Sequence, residues 1–229
     1  MYGNRQAASP PEQFTSAKTT AAIPIRHPAV RDALVQFSLS PAIRSIDYIP
    51  SAIVASELVD LGAIIVQGES DRVLIDIVEA RPIRDLEDEG LALIAVGKLH
   101  LRTKVVTFKD LRREPRYTNS RSVWRYNKHH VALDLRIRIL KLLLERQSMK
   151  LGQLLEEVQA GPRGSQAVMA LACSDLLELD LDSQPLGPTT FVRSRTPLPD
   201  RVEPPVSYKK RPSPRIRLPP EKARHGRFR

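Results

Sequence analysis

Residues 71–82, with the sequence DRVLIDIVEARP, combine an aliphatic run with charged side chains that could take part in chemistry. The run is dense enough in aliphatic residues to predict a β-strand that is buried on both faces. Asp76 interrupts it, and Glu79 and Arg81 follow. A buried carboxylate costs several kcal/mol unless a metal ion, a cation or several hydrogen-bond donors meet it. Asp76 is therefore a candidate catalytic and metal-binding residue, with Glu79 and Arg81 as candidate catalytic neighbours.

A second group of side chains, in residues 112–130, mixes cations with aromatic rings in a way that is typical of nucleic-acid binding. Arginine and lysine contact phosphates, and aromatic rings stack on bases. An alternative is that Trp124 and Tyr126 pack in the core while the cations form its solvated rim. The candidate nucleic-acid-binding residues are Arg112, Arg113, Arg116, Arg121, Trp124, Arg125 and Lys128.

The charge of the whole chain favours the same class of partner. Lys and Arg outnumber Asp and Glu by 36 to 26, and the resulting net charge of +10 points to a polyanion such as DNA. Much of this charge lies in residues 196–229, a Pro-rich tail that we expect to be disordered, where ten Lys and Arg stand against three acidic residues. Lys209, Lys210 and Arg211 are further candidate DNA-binding residues, although the tail suits a generic solubilising role equally well.

Cysteine content and hydropathy favour a cytoplasmic protein. The single cysteine, Cys173, excludes a disulfide framework and a cysteine-rich zinc site. The apolar stretches are far shorter than the ~18 residues that a membrane helix needs, and the N-terminus lacks a hydrophobic signal core. We therefore expect no membrane association.

The periodicity predicts an α/β domain with a mixed sheet over residues 26–130, preceded by a disordered, flexible arm over residues 1–25. The arm is rich in Ala, Ser, Thr, Gln and Pro and has no regular apolar spacing. The predicted elements of the domain are a helix over 29–39, strands over 42–48, within 49–66 and over 73–80, a helix over 85–99 and a strand over 101–108.

Residues 131–195 predict a small winged helix-turn-helix domain. Helices over 131–146, 151–159 and 165–177 precede a hairpin with strands over 179–181 and 190–192. The third helix, which would be the recognition helix, has few cations, and this argues for docking of a protein rather than base reading.

Three segments make the chain resemble the TnsA-like transposon endonucleases, whose N-terminal domain has the PD-(D/E)xK restriction-endonuclease-like fold and whose C-terminal part is a winged helix. The similarity spans residues 28–193. It implies DNA binding and work with a DDE transposase and an AAA+ regulator. The segments are LSPAIRSIDYIP (39–50), GAIIVQGESDRVLIDIVEARP (62–82) and KVVTFKDLRREPRYTNSRSVWRY (104–126).

The resemblance also shows that the catalytic motif of that family is largely broken here. In the family, an Asp on one strand and the acid of an acid-x-Lys pair on the next hold Mg²⁺, aided by an acid on the first helix. The similarity puts Ala63 at the first Asp and Val78 at the lysine, while Asp76 keeps the acid. Asp32 is the only candidate on the first helix.

A displaced version of the motif would restore a metal site. Asp60 would then be the first metal ligand beside Asp76, and Glu79 and Arg81 would form the acid-x-cation pair. Arginine can stabilise charge but cannot act as a base.

Three functions follow as hypotheses. The first is a TnsA-like, DNA-associated protein with a degenerate nuclease site, and the second is an active Mg²⁺-dependent endonuclease that cuts DNA ends. The third is a transcriptional or assembly regulator that works through its winged helix.

Overall fold

The computed structural model describes residues 12–195 and has a mixed four-stranded sheet in its N-terminal part. The strands lie in the order β3-β4-β5-β6, with antiparallel neighbours except for the parallel pair β5-β6. The predicted α/β class with a mixed sheet is confirmed. The elements are β1 (Glu12–Phe14), β2 (Ile23–Ile25), α1 (Pro28–Leu39), β3 (Ser45–Val54), β4 (Glu57–Gln67), β5 (Arg72–Ile77), α2 (Leu86–Lys98), β6 (Arg102–Val106), α3 (Phe108–Leu111) and α4 (Arg116–Trp124).

The segment before α1 is folded, so the prediction of a flexible arm is wrong for residues 12–25. Strands β1 and β2 pair antiparallel, and Phe14 and Ile23 are both buried. The ring of Phe14 stacks on Trp124 with centroids 5.1 Å apart. Two apolar anchors therefore order a segment whose other residues are mostly polar. Residues 1–11 lie outside the described part of the chain.

Strands β3 and β4 form one long hairpin whose turn is Ala55-Ser56. Both turn residues have positive φ, 48° and 74°, as a two-residue turn between right-twisted strands requires. The next strand, β5, is shorter than predicted, because Val78–Ala80 forms a 3-10 turn. Glu79 thereby leaves the sheet just after Asp76.

Each face of this sheet is covered by one helix. Helix α1 buries its apolar side on the face that includes Ile46, Ile64 and Ile75. Helix α2 crosses over between β5 and β6, as a parallel pair requires, and buries Ala92 and Ala95 on the opposite face. The result is three layers, helix, sheet and helix.

The C-terminal part contains three helices and a three-stranded antiparallel sheet in the order β7-β9-β8. The sequence predicted only a two-stranded hairpin, because the third strand, β7, has just three residues. The third helix ends earlier than predicted, at Cys173, before Asp175 adopts a positive φ of 63°. The elements are α5 (Leu133–Arg146), β7 (Ser148–Lys150), α6 (Leu151–Glu157), α7 (Gly164–Cys173), β8 (Leu177–Leu179) and β9 (Phe191–Ser194).

Helix α4 joins the two parts. Its buried Asn119 donates to the carbonyl oxygens of Leu181 and Gln184 at 2.9 and 2.8 Å, and its Oδ1 accepts from the backbone N–H of Leu186 at 2.9 Å. Val123 of the same helix belongs to the C-terminal core. Residues 12–195 consequently form one compact unit. No helix in this range is both long and apolar enough to cross a membrane.

Candidate functional site

Asp76 lies near the end of β5 and forms a two-point ion pair with Arg81. Arg81 Nε donates to Oδ1 at 2.9 Å and Nη2 donates to Oδ2 at 2.6 Å. Hydrogen bonding to Asp76 raises the pKa of Arg81 above its ordinary value. Only 25% of the Asp76 side chain is exposed. The partly buried carboxylate of Asp76 therefore has a cationic hydrogen-bond partner, which stabilises its charge.

Glu79 has a structural contact in place of the predicted catalytic one. Its Oε1 accepts from the backbone N–H of Phe108 at 2.7 Å, at the first residue of α3. Its Oε2 is buried and has no hydrogen-bond partner within residues 12–195. Glu79 therefore ties the end of β5 to α3, while Arg81 turns to Asp76.

Asp60 lies on β4, but its environment differs from that of Asp76. Its Oδ2 accepts from Arg26 at 2.8 Å, and its backbone oxygen accepts from Arg84 at 2.7 Å. A β-bulge at this point of the hairpin, with Gly62 at a φ of 56°, separates Asp60 from the regular part of β4. Asp60 and Asp76 line two neighbouring clefts rather than one.

The described residues do not fit a magnesium site. Arg81 occupies both carboxylate oxygens of Asp76, and an arginine also pairs with Asp60. Within residues 12–195, no three His, Cys, Asp or Glu side chains lie close enough together to hold a metal ion. Asp32, the candidate on the first helix, lines a different cleft from Asp76. The predicted metal ligands are therefore not brought together.

The cleft beside Asp76 has a volume of about 670 Å³ and lies where β4 and β5 part. The last paired residues are Ile64 and Ile75, so Ala63 and Asp76 stand at the next register position. The charged residues of the cleft largely neutralise one another, since Arg81 pairs with Asp76 and Arg84 pairs with Glu89. The rest of the lining is mainly aliphatic.

A further cleft, of about 720 Å³, brings together five of the predicted nucleic-acid-binding residues. We call it the basic cleft. It lies between α1 and residues 112–128, and Asp32 is the only acidic residue among the described residues that line it. Its lining is Pro28, Arg31, Asp32, Val35, Arg112, Tyr117, Arg121, Trp124, Arg125, Asn127 and Lys128.

Two of the arginines in the basic cleft are positioned by aromatic rings. The guanidinium of Arg112 lies 4.4 Å from the centre of the Phe108 ring. Arg121 lies 5.3 Å from the centre of the Tyr117 ring and donates to its hydroxyl at 3.0 Å. Arg125 and Lys128 are exposed and form no ion pair within residues 12–195. The cleft therefore presents uncompensated positive charge, which suits a phosphate backbone.

Two of the predicted nucleic-acid-binding residues, Arg116 and Trp124, have contacts that hold the fold together. Arg116 donates to both carboxylate oxygens of Asp182 at 3.0 Å and to Gln36 Oε1 at 3.2 Å, and so connects α4 to α1 and to the C-terminal part. Trp124 stacks on Phe14 and packs against both main cores. Trp124 is therefore a partly buried residue that packs against the core and also lines the basic cleft.

The remaining candidates are Arg113 and three residues of the tail. Arg113 is exposed but does not line it. Lys209, Lys210 and Arg211 lie outside the described residues. Sequence reasoning missed the contribution of Arg31, which is on α1 and pairs with Glu12. The packing of α1 on α4 brings Arg31 to the cleft, and no local pattern in the sequence indicates that contact.

The third helix of the C-terminal part, α7, offers little surface for base contacts. None of its residues from Gly164 to Cys173 is exposed, and Ala167, Val168 and Leu171 lie in the core.

No family model matches this sequence, and no curated protein matches it either. The site geometry by itself can bind an extended anion in the basic cleft.

Proposed function

We propose that this protein is a TnsA-like, DNA-associated protein that binds the DNA backbone in the basic cleft and carries a degenerate nuclease site. The observation that carries the proposal is the convergence of Arg112, Arg121, Arg125 and Lys128 on one cleft. Such a cleft neutralises successive phosphates without reading bases, so the binding has weak sequence preference.

The arrangement of β4 and β5 supports the nuclease-like half of the proposal. In the resemblance to PD-(D/E)xK domains, the metal-binding Asp and the acid of acid-x-Lys lie on adjacent strands. Ala63 and Asp76 stand opposite each other, one position beyond the last pair of β4 and β5. Arg81 then provides the positive charge beside Asp76 that Mg²⁺ would provide in an active enzyme. Arg81 makes Asp76 a structural residue.

The C-terminal part supports a role in docking proteins. Its order of helices and strands, with a three-stranded sheet that packs on three helices, suits a winged helix. Because the residues of α7 are buried or half-buried, this part offers little surface for reading DNA in the major groove. A DDE transposase and an AAA+ regulator are the partners that the resemblance implies. The same burial of α7 weighs against a regulator that recognises DNA through its winged helix.

Salt-dependent binding of the full chain to a labelled DNA duplex tests the proposal. We expect the affinity to fall steeply between low and moderate salt, and to be nearly equal for unrelated duplex sequences. Binding that does not weaken with salt, or a strong preference for one sequence, would argue against backbone binding.

An active endonuclease is the competing hypothesis, and a cleavage assay separates the two. The full chain is incubated with DNA and Mg²⁺ or Mn²⁺, alone and with candidate transposition partners, beside an Asp76→Ala variant. We expect no metal-dependent cleavage in any combination. Cleavage by the unmodified chain that disappears in the Asp76→Ala variant would support the endonuclease hypothesis.

A further inference from the structure

Two helices of the structure each leave an apolar stripe exposed to solvent. Both stripes have successive spacings of four, three and four residues, which align four residues along one side of an α-helix. Their leucines and isoleucine, apart from the half-buried Leu140, are between 55% and 91% exposed. The α2 stripe is Leu86, Gly90, Leu93 and Gly97, and the α5 stripe is Leu133, Ile137, Leu140 and Leu144.

Each helix is already fixed to the protein through its other side. Helix α2 buries Ala92 and Ala95 against the sheet, and α5 buries Ile139 and Leu143 in the C-terminal core. The stripes are therefore apolar surface in addition to what the fold needs. Helices with apolar residues on both sides normally bury both.

The two stripes are complementary in shape. In an antiparallel arrangement with the stripes fully overlapped, Gly90 lies opposite Leu140 and Gly97 lies opposite Leu133. A side chain placed at either glycine would meet no atom of the protein within 4 Å, so the space above the glycines is open. Each glycine can thus accommodate a leucine from the other helix.

The two stripes are also complementary in charge. The charged residues that flank the α2 stripe are Glu87, Glu89 and Lys98, with a net negative charge, and those that flank the α5 stripe are Asp134, Arg136, Arg138, Lys141 and Glu145, with a net positive charge. In the antiparallel arrangement, Glu87 lies beside Lys141. The net charges of unlike stripes therefore attract each other, whereas two α2 stripes or two α5 stripes carry net charge of the same sign.

We propose that the α5 stripe of one molecule binds the α2 stripe of a second copy of this chain. Each copy carries one stripe of each kind, so the contact is head-to-tail and adds further copies in an open chain or a ring. One helix pair buries little surface compared with a stable dimer interface, and the association is accordingly weak.

Sedimentation velocity of the full chain, free of nucleic acid, tests this proposal from a few micromolar to a few hundred micromolar. We expect the mean sedimentation coefficient to rise with concentration and the rise to be smaller at high salt. A chain that remains monomeric over the whole range would overturn the proposal, and would leave the stripes to a different protein.

Charge reversal then shows which surfaces meet. Glu87 and Lys141 form no ion pair within residues 12–195, so replacing either breaks no ion pair of the monomer. Glu87→Lys and Lys141→Glu should each weaken association about tenfold, and the combined variant should restore it. Glu156→Lys and Lys150→Glu, which make the same charge changes away from the stripes, should have no effect.

Two results would contradict the pairing of unlike stripes. One is a combined variant that associates no better than the single variants. The other is association that depends on residues 196–229 and does not respond to charge reversal, since the basic tail would then be what binds the α2 stripe.

Discussion

Arg81 donates one hydrogen bond to each carboxylate oxygen of Asp76, so the acid in the middle of the sheet has a cation five residues along the chain. This pair explains why an ionised carboxylate can be tolerated in strand β5. It also removes from Asp76 the oxygen atoms that a magnesium ion would need.

Separating this pair should destabilise the protein. The Arg81→Gln variant leaves a carboxylate that is three-quarters buried without its cation, and we expect Tm to fall by a few degrees. Asp76→Asn should lower Tm less, because it leaves only an exposed arginine unpaired. Thermal unfolding of the two variants and of their combination measures the coupling. Additive losses in the combined variant would show that the two side chains do not interact.

Lys18 should make stability depend on pH. Burial and, to a lesser extent, the charge of Arg195 lower the pKa of Lys18 to about 7, although Asp175 lies 3.2 Å from its Nζ. Arg195 shares that carboxylate, so the ion pair does not offset burial. In the unfolded chain Lys18 keeps its ordinary pKa of 10.5 and binds a proton that the folded protein has lost.

The contribution of Lys18 to the free energy of unfolding is therefore complete above its ordinary pKa, and is lost as pH falls towards 7. Chemical unfolding between pH 7 and 9.5 should show stability rising with pH. The Lys18→Met variant should show a smaller rise over the same range. Equal pH dependence in the two proteins would mean that Lys18 keeps its proton when folded.

Phe14 should anchor the segment that precedes α1. Its ring is buried against Trp124, so Phe14→Ala should lower the free energy of unfolding by about 3 kcal/mol. The control is Glu12→Ala on the same strand, which breaks only an exposed ion pair with Arg31 and should cost less than about 1 kcal/mol. Equal, small losses in urea unfolding would indicate that β1 contributes nothing to the fold.

Most elements of the fold could be predicted from strong local patterns in the sequence. Helices α1, α2 and α5 and the strands around Asp76 follow from apolar spacing and turn residues. The β1-β2 pair does not, because only Phe14 and Ile23 hold it, and both contact residues far away in sequence. Strand β7 was missed for a similar reason, since three residues form it only beside β9.

The candidate site was likewise predictable only where local sequence patterns determine it. The sequence singled out Asp76 correctly as a carboxylate that needs a partner, but it could not show that Arg81 is that partner. It marked the cations of residues 112–128, yet Arg116 is used to hold Asp182. Which cations share a cleft depends on the packing of α4 against α1, a contact over about 90 residues of chain that spacing does not encode.

The most direct test of the central claim is the affinity of the full chain for a fluorescein-labelled duplex, measured by anisotropy over a range of salt. The Arg125→Ala/Lys128→Ala variant removes two cations from the basic cleft, and Lys98→Ala/Lys150→Ala removes two exposed cations elsewhere. The account predicts that only the first variant loses affinity, by about tenfold or more, and that the slope of log affinity against log salt falls by about 2. An unchanged affinity and slope in the cleft variant would contradict it.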